Sequence, residues 1–171
     1  KGLHYLVELV PMLIRRNVDF EISVFGEVYP NQRAYVRQCI SLINDEHRRL
    51  IRFNGHCGNI GERLADFDIY VCLSESESSP LAVWEAMFAG LPVVSFDVGD
   101  VALNMDAHDF IAPVGDLEKI AEIIERLSSN RRALKQAGRD NFLKAEMCLS
   151  NEKILSQYRE FYQNIISEDL S

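Results

Sequence analysis

Hydrophobic positions follow two different periods along the chain. From about residue 2 to 16, apolar residues recur every three to four positions, which is the spacing of one face of an amphipathic helix. Short runs rich in β-branched and aromatic residues come later, and Gly, Pro, Asn or Asp bounds most of them, so they predict strands. The predicted strands cover residues 20–25, 50–53, 68–73, 92–96 and 110–114.

Helical segments separate and follow these strands. The predicted helices cover residues 2–16, 30–47, 60–65, 80–89, 116–128, 130–146 and 151–167. Alternating helices and strands predict a parallel sheet with helices on both faces, a Rossmann-like three-layer α/β/α sandwich. Because the 171 residues contain no repeat or linker-like segment, we expect residues 1–171 to form a single domain.

Composition and charge narrow the classes of partner. Hydrophobic residues make up 47% and charged residues 26% of the chain, as in ordinary globular proteins. The formal net charge of −8 argues against a nucleic-acid backbone as the main partner, although it leaves room for a small phosphate. No apolar run approaches the ~20 residues of a membrane span, and no secretory signal opens the chain. We expect a cytoplasmic location.

The four cysteines show no paired spacing. They form neither a C-x-x-C pair nor a disulfide framework, and three of them have apolar neighbours. We expect free, buried thiols in a reducing compartment. The residues concerned are Cys39, Cys57, Cys72 and Cys148.

The helix predicted at 80–89 is apolar on every side apart from Glu85. A helix of this kind is expected to be buried all round. A carboxylate in such a helix is costly unless something pairs with it. Either a protein group pairs with Glu85, as a structural salt bridge or cap, or a ligand rich in hydroxyl groups does.

The start of this helix favours the ligand. Ser79 and Pro80 are typical of an N-cap and a first helical residue. The amino end at residues 80–82 would face the carboxyl ends of the strands, where such sheets bind ligands and where a diphosphate would fit. Glu85 lies about 7–8 Å along the helix from Pro80, and its side chain tilts back toward that end. Glu77 in the preceding loop can face the same crevice.

These residues and their flanks resemble the E-x7-E signature of family 4 retaining glycosyltransferases, the glycosyl transferases group 1, which have the GT-B fold. Glu77 and Glu85 supply the two acidic positions, and the segment 90–94 reads GLPVV. The resemblance covers most of the chain and implies the C-terminal, donor-binding half of the GT-B fold. Further matching segments are KG at 1–2, FEISVFG at 20–26, LIRFNGHCGNIGERLADFDIYVCLS at 50–74, FDVGDV at 96–101 and FIAPVGDLEKIAEII at 110–124.

The resemblance implies a role for each matching residue. Glu85 would bind the ribose hydroxyls and Glu77 the hydroxyls of the donor sugar. Lys1 would neutralise the diphosphate, and with Glu77 it is the expected catalytic pair. The backbone at Ser79, Pro80 and Leu81 would bind the diphosphate, while Gly55, His56 and Cys57 would flank the nucleobase. The remaining expected donor-binding residues are Gly26 and Gly99. For His56, a surface histidine without contact to the base is the alternative.

The implied activity is transfer of a hexose from a nucleoside-diphosphate sugar, a UDP-sugar or GDP-sugar, to a sugar or lipid-linked acceptor. The reaction needs no metal and no other cofactor in this family. We expect the chain to be part of a longer protein that supplies an N-terminal acceptor domain, a first strand and a phosphate-binding Arg, so that the domain alone is inactive. Polysaccharide or glycolipid synthesis, with peripheral contact to the inner face of the membrane, fits this class.

One departure from the family pattern leaves the exact donor open. Ser78 and Ser79 replace the common Gly-Phe, a change that the family tolerates, but the segment 99–103 (GDVAL) ends without the acidic residue that many relatives carry. The alternatives are another GT-B enzyme, such as an epimerase or a phosphorylase, and a catalytically silent nucleotide-sugar-binding or scaffold domain. A nicotinamide dehydrogenase would require a G-x-G-x-x-G segment, which the sequence lacks.

The last predicted helix carries a broad apolar stripe at helical spacing. In GT-B enzymes the terminal helix reaches back to the N-terminal domain. We therefore expect most of the stripe to pack on this domain and part of it, in the segment 161–166, to be exposed.

Overall fold

The computed structural model of the chain describes residues 1–105 and 108–168. Its strands are β1 (Ile22–Phe25), β2 (Ile51–Gly55), β3 (Tyr70–Cys72), β4 (Val93–Phe96) and β5 (Ile111–Ala112). Its α-helices are α1 (Leu3–Arg15), α2 (Arg33–Ser41), α3 (Asp45–Arg48), α4 (Ile60–Leu64), α5 (Leu81–Phe88), α6 (Val101–Asn104), α7 (Leu117–Ser128), α8 (Arg131–Leu149) and α9 (Asn151–Glu168). Single 3₁₀ turns lie at Pro30–Gln32 and His108–Phe110.

All described strands pair in parallel, as the alternation of helices and strands predicts. They do not form one sheet, however: β1 pairs with β2, and β3, β4 and β5 form a second sheet in that order. Ile22 lies opposite Ile51 in the first sheet, and Tyr70 lies opposite Val93 in the second. The strands separate into two sheets because no strand among the described residues pairs with the second edge of β1 or of β3.

Helix α1 packs against both sheets. Its residues Leu9 and Leu13 belong to the larger core, around the three-stranded sheet. Val10, one position after Leu9, belongs to a second core with Ile43 and Ile51 beside the two-stranded sheet. All three helix residues are at most 2% exposed. One amphipathic helix therefore connects the two sheets.

Helix α8 packs against the amino end of β4. The Asn141 amide Nδ2 is buried and donates a hydrogen bond to the Leu91 carbonyl oxygen at 2.9 Å. A Cβ at Gly138 would overlap the carbonyl oxygen of Gly90. Because Gly90 and Leu91 directly precede β4, this close contact fixes the middle of α8 at the end of the sheet opposite the strands' carboxyl ends.

The predicted helix at 30–47 is interrupted in the structure. The Asn44 side chain accepts a hydrogen bond from the His47 amide at 2.8 Å and so caps a new helix, α3. An N-cap residue has extended rather than helical backbone angles, so the preceding helix α2 ends before Asn44. The structure also contains the short helix α6, which the sequence analysis did not predict.

Helix α9 is more exposed than the sequence predicts. The expectation that most of its apolar stripe packs on this domain is wrong, because α9 packs mainly against α8, and Leu155, Tyr158 and Ile165 are also 55%, 59% and 41% exposed. Phe161 and Tyr162 are 59% and 58% exposed, and Ile166 is 60% exposed, so the predicted apolar patch is confirmed. Within the described ranges, no helix combines the length and hydrophobicity that crossing a bilayer requires.

All four cysteines are free, as predicted, but only Cys39 and Cys72 are buried. The prediction that Cys57 and Cys148 are buried was wrong, because both are half-buried. Cys57 lies in the loop after β2, and Cys148 lies near the end of α8.

Candidate functional site

The carboxyl ends of the strands lead into loops that contact one another in pairs. The Gly26 amide donates a hydrogen bond to the Gly55 carbonyl oxygen at 2.8 Å, which joins the ends of β1 and β2. The Asp100 amide donates to the Ser78 carbonyl oxygen at 3.0 Å, which joins the loop after β4 to the loop after β3. The structure thus brings the predicted residues Glu77 and Gly99 to neighbouring loops.

Gly99 is required by the close contact between these two loops. Its φ of 58° lies in the left-handed region, which favours glycine. A Cβ at this position would overlap the carbonyl oxygen of Ser78 and would also come within 2.9 Å of the Glu77 carbonyl oxygen. Because Gly99 has no side chain, the loop that carries Glu77 can lie directly against the backbone of the loop after β4.

Lys1 and Glu77 form an ion pair. The Lys1 Nζ atom lies 2.6 Å from Glu77 Oε1, and the side chains are 82% and 14% exposed. Burial of the Glu77 carboxylate opposes its ionisation, but hydrogen bonds from Lys1 and Ser74 outweigh burial and hold its pKa below the usual value. Glu77 is therefore an ionised hydrogen-bond acceptor at neutral pH.

Gly2 allows Lys1 to reach this position. Its φ is 72°, and a Cβ there would overlap the carbonyl oxygen of Leu73, which directly follows β3. The backbone at the start of α1 thus lies against the beginning of the loop that carries Glu77. The Lys-Gly sequence therefore has a structural basis. Gly2 allows the backbone to lie against Leu73, and Lys1 supplies the positive charge that pairs with Glu77.

Further contacts between α1 and this loop were not predicted from the sequence. The Tyr5 hydroxyl donates to Glu75 Oε1 at 3.3 Å, and His4 Nε2 lies 3.7 Å from the same oxygen. His4 Nδ1 lies 2.8 Å from the Tyr35 hydroxyl of α2. These residues position the loop after β3 relative to α1 and α2. Because the partners are 31 or more residues apart in sequence, no local pattern could have indicated them.

Helix α5 differs from the expectation that it is buried all round. Leu81, Ala82, Glu85 and Ala89 form an exposed stripe along one side, and Leu81 is 72% exposed. The opposite side, including Trp84 at 6% exposure, is buried. The prediction was wrong because the α5 face that lies away from the core has no described element covering it. Apolar composition alone does not show which side is covered.

Glu85 lies on the exposed stripe of α5. Its carboxylate forms no hydrogen bond or ion pair with any residue in the described part of the chain. The structural alternative, in which a protein cation or donor pairs with Glu85, therefore finds no partner among these residues. The carboxylate is available to an external ligand.

The first residues of α5 also differ from the sequence prediction, which gave Ser79 as the N-cap and Pro80 as the first helical residue. Ser79 does not cap the helix, because its Oγ atom accepts a hydrogen bond from Trp84 Nε1 at 3.0 Å. A buried indole N–H requires an acceptor, and Ser79 supplies it. Pro80 occupies the cap position, and its carbonyl oxygen accepts from the Val83 amide at 2.9 Å. Since Pro80 has no N–H, the backbone donors of the first turn are Leu81 and Ala82.

The loop after β2 contains the residues predicted to flank a nucleobase. Gly55 ends the strand with a φ of 69°, His56 is exposed, and Cys57 is half-buried. Their contact with a base stays a prediction, as do the ligand contacts of Gly26 and Gly99. In residues 1–105 and 108–168, no three His, Cys, Asp or Glu side chains group as metal ligands would. The expectation of a metal-free reaction stays a prediction.

Comparison with known proteins identifies relatives over most of the chain. The sequence profile described as "Glycosyl transferases group 1" matches residues 1–130. N-acetyl-alpha-D-glucosaminyl L-malate synthase of Bacillus anthracis is 29% identical over 154 residues, which are 89% of this chain and 39% of that protein. The chain therefore spans less than half the length of this curated relative.

Solved structures show the same fold. The HepE protein of Anabaena, in complex with UDP, superposes with a TM-score of 0.82 at 18% identity, covering 96% of this chain and 45% of that one. The C-terminal domain of the glycosyl transferase group 1 family protein LpcC of Francisella tularensis gives a TM-score of 0.78 at 18% identity, covering 88% of this chain and 80% of that one. The Rossmann-like α/β architecture of the C-terminal half of the GT-B fold is thereby confirmed.

Proposed function

The chain belongs to the glycosyl transferases group 1 family, and from this premise we propose that it is the donor-binding domain of a retaining hexosyltransferase. Its substrate would be a nucleoside-diphosphate sugar, with UDP as the first candidate because the related HepE structure contains UDP. GDP is the second candidate. The acceptor would be a sugar or a lipid-linked sugar, in polysaccharide or glycolipid synthesis.

The unpaired carboxylate of Glu85 is the main support for this proposal. It is an exposed acceptor on a helix whose first turn has free amides at Leu81 and Ala82. A diphosphate at this helix end would be stabilised by the helix dipole and the amides. The ribose attached to that diphosphate would then present its hydroxyls to Glu85, about one turn further along the helix.

Lys1 and Glu77 would act on the other side of the diphosphate. The Lys1 ammonium is 82% exposed, so it remains accessible to a phosphate while it contacts Glu77. In the transfer step, negative charge develops on the departing nucleoside diphosphate, and a fixed cation near that charge stabilises the transition state. The ionised Glu77 would accept hydrogen bonds from hydroxyls of the donor sugar. No metal or other cofactor is needed in this scheme.

The free edges of the two sheets support a further part of the proposal. In the doubly wound strand order 3-2-1-4-5-6, strand 1 lies between strands 2 and 4. If β1 to β5 correspond to strands 2 to 6, the observed pairs β2–β1 and β3–β4–β5 follow, with one position left between β1 and β3. We assign that position to a strand of a longer protein, which would also supply the acceptor domain and the additional Arg.

The exposed apolar patch of α9 would contact that acceptor domain. The isolated chain should then bind donor weakly and transfer no sugar. The whole enzyme would work in the cytoplasm or at the inner face of the membrane. Sugar transfer by this chain alone would contradict the assignment of the acceptor site to another domain.

Isothermal titration calorimetry tests the donor site directly. We expect one of UDP, GDP and ADP, or its hexose conjugate, to bind, and Glu85→Ala to weaken that binding at least about tenfold, the loss of a hydrogen bond to a charged group. Glu152→Ala is the matched control, because Glu152 is also an exposed glutamate on a helix, in α9. If no nucleotide binds to this chain or to a longer chain with the additional strand, the scaffold alternative is correct.

A further inference from the structure

The loop after β3 is held to the beginning of α1 by two acidic side chains. Glu77 pairs with Lys1, and Glu75, two positions earlier, contacts the first turn of the helix. The Tyr5 hydroxyl donates to Glu75 Oε1 at 3.3 Å, and His4 Nε2 lies 3.7 Å from the same oxygen. Both carboxylates thus face the same end of α1, although only Glu77 has a proposed role toward the donor.

These side-chain contacts decide where the middle of the loop lies. Backbone contacts fix its two ends, at Leu73 against Gly2 and at Ser78 against Gly99. Between these ends, residues 74–77 form no backbone hydrogen bond with another segment in the described part of the chain. A segment without such bonds depends on its side chains for a defined position.

Tyr5 is a fixed donor for Glu75. Its ring packs edge-on against Phe96, with the ring centroids 5.1 Å apart, and Phe96 is fully buried at the end of β4. Desolvation and the neighbouring Glu75 carboxylate both raise the pKa of Tyr5. The hydroxyl therefore keeps its proton at neutral pH and donates it to the carboxylate.

His4 supports Glu75 from a second direction. The Tyr35 hydroxyl oxygen accepts from the His4 amide at 3.2 Å and lies 2.8 Å from His4 Nδ1. In a neutral His4 with its proton on Nδ1, the Nε2 lone pair would face the Glu75 carboxylate, which is unfavourable. The favoured tautomer accepts from the Tyr35 hydroxyl at Nδ1 and turns Nε2–H toward Glu75. At 3.7 Å this is an electrostatic contact rather than a hydrogen bond, so Tyr5 is the stronger anchor.

We propose that Glu75 is a positioning residue for donor-sugar recognition: held by Tyr5 and His4, it fixes the loop so that the Glu77 carboxylate meets the sugar hydroxyls. The inference rests on the proposed role of Glu77 in donor binding. Glu75 itself does not touch the donor in this arrangement. A free nucleotide lacks the hexose that Glu77 contacts, so loss of Glu75 weakens the nucleotide-sugar and spares the nucleotide.

The pKa of Glu77 tests the positioning without any ligand. Tyr5→Phe removes one hydroxyl and keeps the ring against Phe96. A loop that is held less firmly weakens the Lys1 contact, so the pKa of Glu77 should rise toward its ordinary value in a carboxyl-carbon NMR titration. Tyr158→Phe, in the exposed part of α9, is the control and should leave that pKa unchanged. An unchanged pKa of Glu77 in Tyr5→Phe would overturn the inference.

Isothermal titration calorimetry on the same chain tests the effect on the donor. The tightest-binding nucleotide among UDP, GDP and ADP is compared with its tightest-binding hexose conjugate. Glu75→Ala should weaken the conjugate at least about threefold and change the free nucleotide by less than about twofold. Glu75→Gln keeps an oxygen that accepts from Tyr5, so it should retain most of the wild-type affinity for the conjugate. Ser76→Ala, at an exposed position of the same loop, is the control.

The outcomes separate this inference from the proposed function. Absence of nucleotide binding by this chain and by a longer chain would contradict the proposed function, whereas a raised pKa of Glu77 in Tyr5→Phe would still support the positioning of the loop. Equal weakening of nucleotide and conjugate by Glu75→Ala would overturn the inference, because a general loss of structure explains it. A Glu75→Gln variant that binds the conjugate as weakly as Glu75→Ala would also overturn it.

Discussion

The α-carbon of Gly99 lies so close to the carbonyl oxygen of Ser78 that no side chain fits between them. The adjacent Asp100 amide donates a hydrogen bond to the same oxygen. One backbone oxygen thus connects the loop after β4 with the loop that carries Glu77. The geometry of the candidate site depends on this contact between two loops as well as on its charged residues.

Gly99→Ala should destabilise the chain by about 1–3 kcal/mol, because the new Cβ combines a positive φ with an overlap against backbone. Urea unfolding measures the change. Gly58→Ala is the control, since a Cβ at Gly58 meets nothing within 4 Å and its φ is not positive. Equal stability of the two variants would contradict the proposed packing.

Glu77→Gln should reduce stability at pH 7 by about 1 kcal/mol or less, because Lys1 is largely exposed and exposed pairs contribute little. The pKa of Glu77 is lowered in the folded state, so its contribution is complete above the ordinary glutamate pKa near 4.5. The contribution is lost as the pH falls through the lowered pKa. Wild type and variant should therefore converge in acid, as measured by urea unfolding across pH. A difference that stays constant with pH would show that the carboxylate charge is not involved.

Ser79→Ala removes the acceptor of the Trp84 indole N–H and should cost about 1–2 kcal/mol of unfolding free energy, because a buried donor loses its partner. Thermal or urea unfolding measures the effect. Ser76→Ala, in the exposed part of the same loop, should change the stability by less than about 0.5 kcal/mol. A neutral Ser79→Ala would mean that Trp84 is satisfied in another way.

The combined variant Phe161→Ser and Ile166→Ser should leave the unfolding free energy of the isolated chain nearly unchanged, since both side chains are mostly exposed. It should reduce self-association in sedimentation velocity experiments, because an exposed apolar patch favours association. Ile123→Ala in α7 is the contrasting variant: Ile123 is 1% exposed, and its truncation should cost about 2–5 kcal/mol. A large loss of stability in the α9 variant would show that the patch packs within this chain.

The sequence predicts elements best where one helix face alone determines the pattern. Helix α7 is observed at Leu117–Ser128 against a prediction of 116–128, because its apolar spacing is regular and Asp116 caps it. The interruption between α2 and α3 depends on the Asn44 cap, which competes with a continuous helical pattern. The division into two sheets could not be predicted, since it depends on which strand edges find partners in space.

For the candidate site too, the sequence predicts some features and misses others. The spacing of Glu77 and Glu85 identifies both carboxylates, but it does not show that, within the described part of the chain, Glu77 is paired and Glu85 is not. The wrong expectation for α5 arose because Leu81 and Ala89 are as apolar as the buried residues, although they lie on the exposed side. The contacts of Tyr5 and His4 with Glu75 join distant segments, so only the folded structure shows them.

The hydrogen bond between Trp84 and Ser79 has an optical consequence. Trp84 is the single tryptophan of the chain, and its indole N–H donates to a residue at the start of α5. Tryptophan emission depends on the polarity and hydrogen bonding around the ring. A ligand that displaces Ser79 when it binds at this helix end will therefore change the tryptophan fluorescence of the chain. Trp84 can thus serve as an intrinsic probe of ligand binding in the crevice.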